Sequence, residues 1–272
     1  MRNLPDARDD PSAAGRAVTS FDRSRPEVNN VLVLAYHAVS EDWAAALSVT
    51  PNNLELQLQT LARSGYRGAT FTDAVLTPHE ERTVILTFDD SYRSVLELAL
   101  PILSGHGFPG TVFVPTAFAG SRSPMAWPGI DRWLGGRHEA ELAPMSWDDL
   151  GVLAEAGWEI GSHTHTHPRL TALDDQSLIE ELTESRRQCE QRLGQPCSSL
   201  CYPYGDHDSR VVDAAAKAGY AAACTLPRRL HPSEPLRWPR IGVYHGDGRA
   251  RFRLKISPSL RRLRASRIWP AA

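Results

Sequence analysis

Three histidines, His163, His165 and His167, alternate within the octet Gly161-Ser-His-Thr-His-Thr-His-Pro168. Imidazole is the commonest neutral nitrogen ligand for zinc and its neighbours. A lone histidine reads first as structural, but three in one short segment after an apolar run read first as metal ligands. An extended segment would point all three to one side, whereas a helical turn would put His163 and His167 on one face and leave His165 off it. Two carboxylates, Asp89-Asp90, directly follow the apolar run Thr83-Val-Ile-Leu-Thr-Phe88. At a strand end, burial and mutual repulsion can push their pKa values apart. Asp is also a preferred helix N-cap, which is the simpler reading of the pair taken alone. Taken with the octet, it completes a two-histidine, one-carboxylate set with open positions, suited to metal-assisted hydrolysis or to iron-dependent oxygenation. Spacing does not choose between them.

Such residues need strands to deliver them. Val31-Leu-Val-Leu-Ala35 reads as a strand buried on both faces, ending in Tyr36-His37-Ala38-Val39. Leu54, Leu58 and Leu61 recur at helical spacing between Thr50-Pro51, an N-cap with Pro at N1, and Gly65. Further strands are expected at 83–88, 110–115, 158–161, 199–202 and 220–225, and helices at 92–103, 147–156, 178–193 and 209–218, with a long Gly-, Pro- and Trp-rich loop over 118–144. Strands alternating with helices imply parallel βαβ units, hence a doubly wound sheet or a barrel. In both, sites gather at strand C-terminal ends.

A chain of 272 residues, 42% hydrophobic, is long enough for one large domain or two small ones. A formal charge of −2 and a pI near 6.6 argue against nucleic acid as a partner. No run approaches the roughly 18 apolar residues of a membrane-spanning helix. Residues 1–30 are polar and lack the apolar stretch of a signal peptide, so they read as a flexible tail on a cytoplasmic protein. Cys189, Cys197, Cys201 and Cys224 form no CxxC pair and are expected reduced and buried. The basic segment 249–272 interleaves Arg and Lys with Phe252, Leu254, Ile256, Leu260, Leu263, Ile268 and Trp269. It reads equally as a solvated tail or as a peripheral contact with the inner face of an anionic membrane.

In order, Tyr36-His37-Ala38-Val39, Leu86-Thr-Phe-Asp-Asp90, His163-Thr164 through His167-Pro168 and Tyr202-Pro-Tyr-Gly205 resemble the motifs of the polysaccharide deacetylase family of metal-dependent carbohydrate esterases. Met145-Ser-Trp147 and Gly157-Trp-Glu-Ile-Gly161 also fit, and the likeness spans about Val31 to Val243. The early Tyr-His-x-Val motif is closest to that of the bacterial exopolysaccharide deacetylases. The resemblance implies a single-domain α/β fold, a distorted (β/α) barrel of fewer than eight strands, with the catalytic domain over 31–248. It implies one divalent metal, zinc being the first expectation, on Asp90, His163 and His167. Asp89 matches the general base, and the backbone N–H of Tyr204 a donor to the oxyanion. His165 becomes a bystander. For the acid that protonates the leaving amine, His37 is favoured over the late candidate His245.

The implied reaction is removal of the N-acetyl group from an N-acetylated sugar or polysaccharide. A small non-sugar amide as substrate, or an inactive glycan-binding domain on the same fold, are the alternatives. Two positions depart from the family pattern. Ser91 replaces a Gly, which matters if φ must be positive there, and the Arg ahead of the Tyr-Pro-Tyr element is missing, with Arg240 as a candidate substitute. Trp127, and less so Trp147, could offer a face to a sugar ring, as could Tyr204.

Overall fold

The computed structural model describes residues 30–270, so the expected N-terminal tail lies, apart from Asn30, outside the described residues. The elements begin with β1 (Val31–Tyr36), β2 (Ala38–Val39), β3 (Ser48–Val49), α1 (Pro51–Arg63), β4 (Arg67–Gly68), α2 (Phe71–Leu76) and β5 (Thr83–Phe88). A π-helical stretch (Val95–Ala99) runs into α3 (Leu100–Gly105), followed by β6 (Gly110–Val114), α4 (Trp147–Glu155), β7 (Glu159–Ser162) and α5 (Asp175–Leu193). Then come β8 (Ser199–Cys201), α6 (Ser209–Lys217), β9 (Ala222–Thr225), β10 (Trp238–Pro239), β11 (Ile241–Gly242), α7 (Arg249–Ile256) and α8 (Pro258–Ala265).

Local chemistry accounts for the helix ends. Thr50 Oγ1 accepts from the Asn53 N–H with Pro51 in the first turn of α1, and Ser146 and Asp149 form a capping box on α4. Asp174 caps α5, and Gly194, at φ 65°, ends it. The strands are short apolar runs with few exposed positions, as parallel strands covered on both faces require.

All sheet pairings are parallel, in the order β10-β9-β8-β7-β6-β5-β1-β11, with β4 added to β5. β10 pairs with β9 and β11 with β1, and only Arg240 separates β10 from β11. One continuous segment, 238–242, therefore bridges the two edges of the sheet. With β1, β5, β6, β7, β8 and β9 it makes the distorted barrel of fewer than eight staves that the motifs imply.

The register carries the site. β1 and β5 run level from Val31↔Thr83 to Tyr36↔Phe88, which sets His37 beside Asp89. Alternation does the rest. Val33, Ile85, Phe113, Cys201 and Cys224 belong to one buried cluster inside the barrel, whereas Leu32, Leu34, Val84, Leu86, Val112 and Val114 join the larger core under the helices. Two and four residues beyond Ile85 lie Thr87 and Asp89; four beyond Val33 lies His37. These side chains continue the inner column to its C-terminal mouth. Gly161 belongs to the same inner surface: a Cβ there would collide with Ser199 Oγ and the Phe113 ring.

Residues 249–265 form α7 and α8, with Phe252 and Ile256 buried in the main core. Asp247, fully buried, anchors this end of the chain through Arg251 and Lys255. Among the described residues no helix is long and apolar enough to cross a membrane. All four cysteines are free and buried.

Candidate active site

Asp90, His163 and His167 converge at the mouth of the barrel, their ligand atoms within 4.8 Å of one another. Nε2 of His163 and Nε2 of His167 each stand 3.4 Å from Asp90 Oδ1. Three features fit this cluster to a metal ion. Asp90 Oδ1 is buried without a hydrogen-bond partner, a costly state for a carboxylate unless a cation faces it. Nδ1 of His163 lies 2.7 Å from the Cys201 carbonyl oxygen, to which it donates, leaving Nε2 as a lone-pair donor. Ligands about 2.0–2.1 Å from a shared ion in tetrahedral array would stand about 3.3 Å apart, close to the 3.4 Å that separates each imidazole from Asp90 Oδ1.

Burial and charge act differently on the two imidazoles. Burial pushes His167 down to about 3, which keeps its imidazole in the neutral, ligating form. For His163 burial acts the same way, but Cys201, Asp90 and Asp89 outweigh it and raise its pKa.

Asp89 is treated quite differently from its neighbour. Arg240, only 1% exposed, donates from Nη1 to Asp89 Oδ1 at 2.7 Å and from Nη2 to Oδ2 at 2.8 Å. Its Nη1 also reaches Thr87 Oγ1, and its Nη2 lies 2.9 Å from Cys201 Sγ. Burial alone would raise the Asp89 pKa, but the Arg240 charge and its two hydrogen bonds hold it well below the usual carboxylate range. His37 Nε2 stands 3.8 Å from Asp89 Oδ2, and the His37 side chain keeps 13% of its surface exposed. His245 turns instead to Ser48 Oγ, 3.4 Å away.

The remaining aromatic and histidine candidates separate cleanly. Trp127, 7% exposed, stacks on the His167 imidazole at 4.2 Å with Phe118 edge-on to it, so its ring buttresses a candidate ligand and offers no open face to a sugar. Trp147 packs between two core clusters. Tyr204, 40% exposed, is the aromatic left at the mouth, edge-on to His167 at 4.8 Å and beneath the Arg169 guanidinium. His165 points its Nδ1 to Thr116 Oγ1 at 3.0 Å, outside the cluster.

Sequence reasoning missed Cys201, whose carbonyl orients His163 and whose thiol touches Arg240, and Glu181, which binds the octet from α5. Cys201 carried a signal in its place two residues before Pro203. Glu181 carried none, because its meeting with the octet is a tertiary event.

Among the described residues the non-glycine positions with positive φ are Asp90 (70°), Ser91 (53°), Thr164 (67°), His167 (64°) and Tyr204 (59°). Every one lies in the site motifs, the pattern expected where backbone strain serves function. Ser91, where the motif resemblance leads one to expect Gly, stands in the left-handed region, and its buried Oγ has no partner. Left-handed backbone costs an L-residue about 1–2 kcal/mol, an unpaired buried hydroxyl about 1–3 kcal/mol, and the extra unfolded freedom of Gly offsets about 0.5–1 kcal/mol. Ser91→Gly is accordingly expected to stabilise the protein by about 1 kcal/mol or more, read as a higher urea midpoint with unchanged m.

A (β/α) barrel bearing a two-histidine, one-carboxylate cluster beside a second, ion-paired carboxylate is the class of protein that fold and site define. The polysaccharide deacetylase family model matches residues 77–223, more than half of the chain. The chain belongs to the polysaccharide deacetylase family. It is 26% identical over 198 residues to YxkH of Bacillus subtilis, covering 71% of this chain and 63% of that protein, so the chain spans less than two thirds of that relative. It is 22% identical over 228 residues to the poly-beta-1,6-N-acetyl-D-glucosamine N-deacetylase of Staphylococcus aureus, covering 74% and 73% of the two chains. The Streptococcus pyogenes deacetylase PplD, solved with acetate, superposes with a TM-score of 0.69 at 21% identity over 84% of this chain and 98% of its own. That last likeness speaks for the fold.

Proposed function

We propose that the protein is a metal-dependent N-deacetylase that converts an N-acetylated amino-sugar polymer and water into the free amine and acetate. The observation that carries this reading is the division between adjacent carboxylates. Asp90 offers an unpartnered oxygen to two imidazoles, while Arg240 grips both oxygens of Asp89. The Staphylococcus aureus relative, named for an N-acetylglucosamine polymer, supports the substrate class.

Asp90, His163 and His167 would hold the ion, which when bound polarises the acetyl carbonyl and acidifies a water. Asp89, kept ionised by Arg240, would take a proton from the attacking water as the C–O bond forms. The Tyr204 backbone N–H, in its left-handed turn, donates to the developing oxyanion. His37 gives a proton to the amide nitrogen as the C–N bond breaks. Acetate and amine leave.

Acetate release from N-acetylglucosamine oligomers by metal-loaded protein, set against small cyclic amides, tests the reading. Release only from the amides would replace the substrate class, and release from neither would leave a glycan-binding domain. For the acid, His37→Ala is expected to lower kcat by about 10²–10⁴-fold with metal retained. His245→Ala should stay within a few-fold of wild type, and the reverse order would move the assignment to His245.

A further inference from the structure

The segment that bears His163 and His167 is strained, with Thr164 and His167 both at positive φ, yet it lies in a loop between β7 and α5 with few apolar anchors of its own. Apart from the Trp127 ring stacked on His167, what holds it is polar: the Thr116 and Ala117 N–H groups donate to the Thr164 and His165 carbonyls, and α5 supplies the rest. Glu181, on the second turn of α5, accepts from the His165 N–H at 2.9 Å and the Thr166 N–H at 2.8 Å through one oxygen. Its other oxygen accepts from Thr166 Oγ1 at 2.6 Å. One helical turn further on, Ser185 Oγ pairs with Ser162 Oγ at 2.7 Å, and that hydroxyl also accepts from the Thr164 N–H. Thr164 Oγ1 in turn accepts from the His167 N–H. Positions 181 and 185 share a helix face, so α5 grips the loop at two points one turn apart.

We propose that Glu181 is a positioning residue for the metal site, fixing the His163–His167 segment in its strained form so that both imidazoles face Asp90. The inference rests on the metal reading of that site. A carboxylate is the fitting acceptor here. Charge-assisted hydrogen bonds to backbone N–H groups are about twice as strong as neutral ones, and they compete against the relaxation of two left-handed residues. Bystander status for His165 follows as well: its backbone N–H goes to Glu181 and its ring to Thr116, and both anchor the loop without reaching the cluster.

The test is Co²⁺ titration of the apo protein, read by the visible absorption of the bound ion, for wild type, Glu181→Ala, Glu181→Gln and Leu182→Ala. Leu182, fully buried on the same helix, is the control that lowers Tm through packing alone. Expected is a Kd for Co²⁺ about 10–100-fold weaker in Glu181→Ala, with an altered spectrum, a smaller loss in Glu181→Gln, and no change in Leu182→Ala despite its lower Tm. Amide hydrogen exchange at His165 and Thr166 should accelerate in Glu181→Ala with or without metal. Wild-type Kd and wild-type exchange in Glu181→Ala would overturn the proposal, as would an equal loss of affinity in Leu182→Ala. If wild type binds no Co²⁺, the metal reading falls and so does Glu181 as a metal-site residue.

Discussion

His163→Ala is expected to abolish metal binding at stoichiometric protein concentration and to lower acetate release by about 10²–10⁴-fold, the several kcal/mol of charge stabilisation that a bound ion supplies. The variant loses two functions of one ring: Nε2, which faces Asp90, and Nδ1–H, which ties the ring to Cys201. Losing an outer hydrogen-bond partner typically costs 10–100-fold in affinity, so losing the ligand itself should cost more. Asp89→Asn separates binding from turnover: it should keep the metal and lose activity, since Asp90 faces the two imidazoles while Asp89, held by Arg240, is the proposed base. Metal content of the purified variants, measured alongside acetate, decides the matter. Full occupancy in His163→Ala would falsify the ligand assignment.

Arg240→Met should be the most destabilising of the substitutions considered, because it leaves Asp89 charged and unpaired in a buried column. Breaking one partner of a buried ion pair costs about 3–5 kcal/mol. The pH dependence should change sign. In the wild type the folded-state pKa of Asp89 is depressed, so its contribution is fully present above the unfolded value near 3.9 and is lost as pH falls toward the folded value. Without the guanidinium, burial dominates and raises Asp89. Its contribution would then be present below about pH 4 and lost as pH rises through the new folded value. Urea midpoints across pH 4–7 should show the gap between the two proteins narrowing toward acid. A constant gap would mean that Arg240 acts by packing, over Phe113 for instance, and not through the charge of Asp89.

The apolar runs at 31–35, 83–88 and 110–115 were legible as strands because parallel strands buried on both faces have little polar interruption. The spacing of Leu54, Leu58 and Leu61 was legible as a helix for the reason that one face of α1 packs on the core. Trp238–Gly242 was not, since two-residue pairings on either side of an arginine leave no periodicity to read. α7 escaped for a related reason, its alternating Arg residues resembling a solvated tail although Phe252 enters the core. At the site, chemistry was visible as residue types in order. The contact between Arg240 and Asp89, and the turning of Trp127 onto His167, depend on barrel closure and on a long loop, and pattern alone does not place either.

The same five residues that complete the barrel also carry the counter-ion of Asp89, and this has a consequence for biosynthesis. The pairing of Leu34 with Ile241 joins positions about 200 residues apart, a contact whose loop-closure cost must be met before it is rewarded. While the chain is emerging from a ribosome, β1 keeps an open edge and Asp89 a lone charge until residue 240 arrives. Stalled or truncated products ending before Trp238 should therefore be the species that chaperones hold and proteases find.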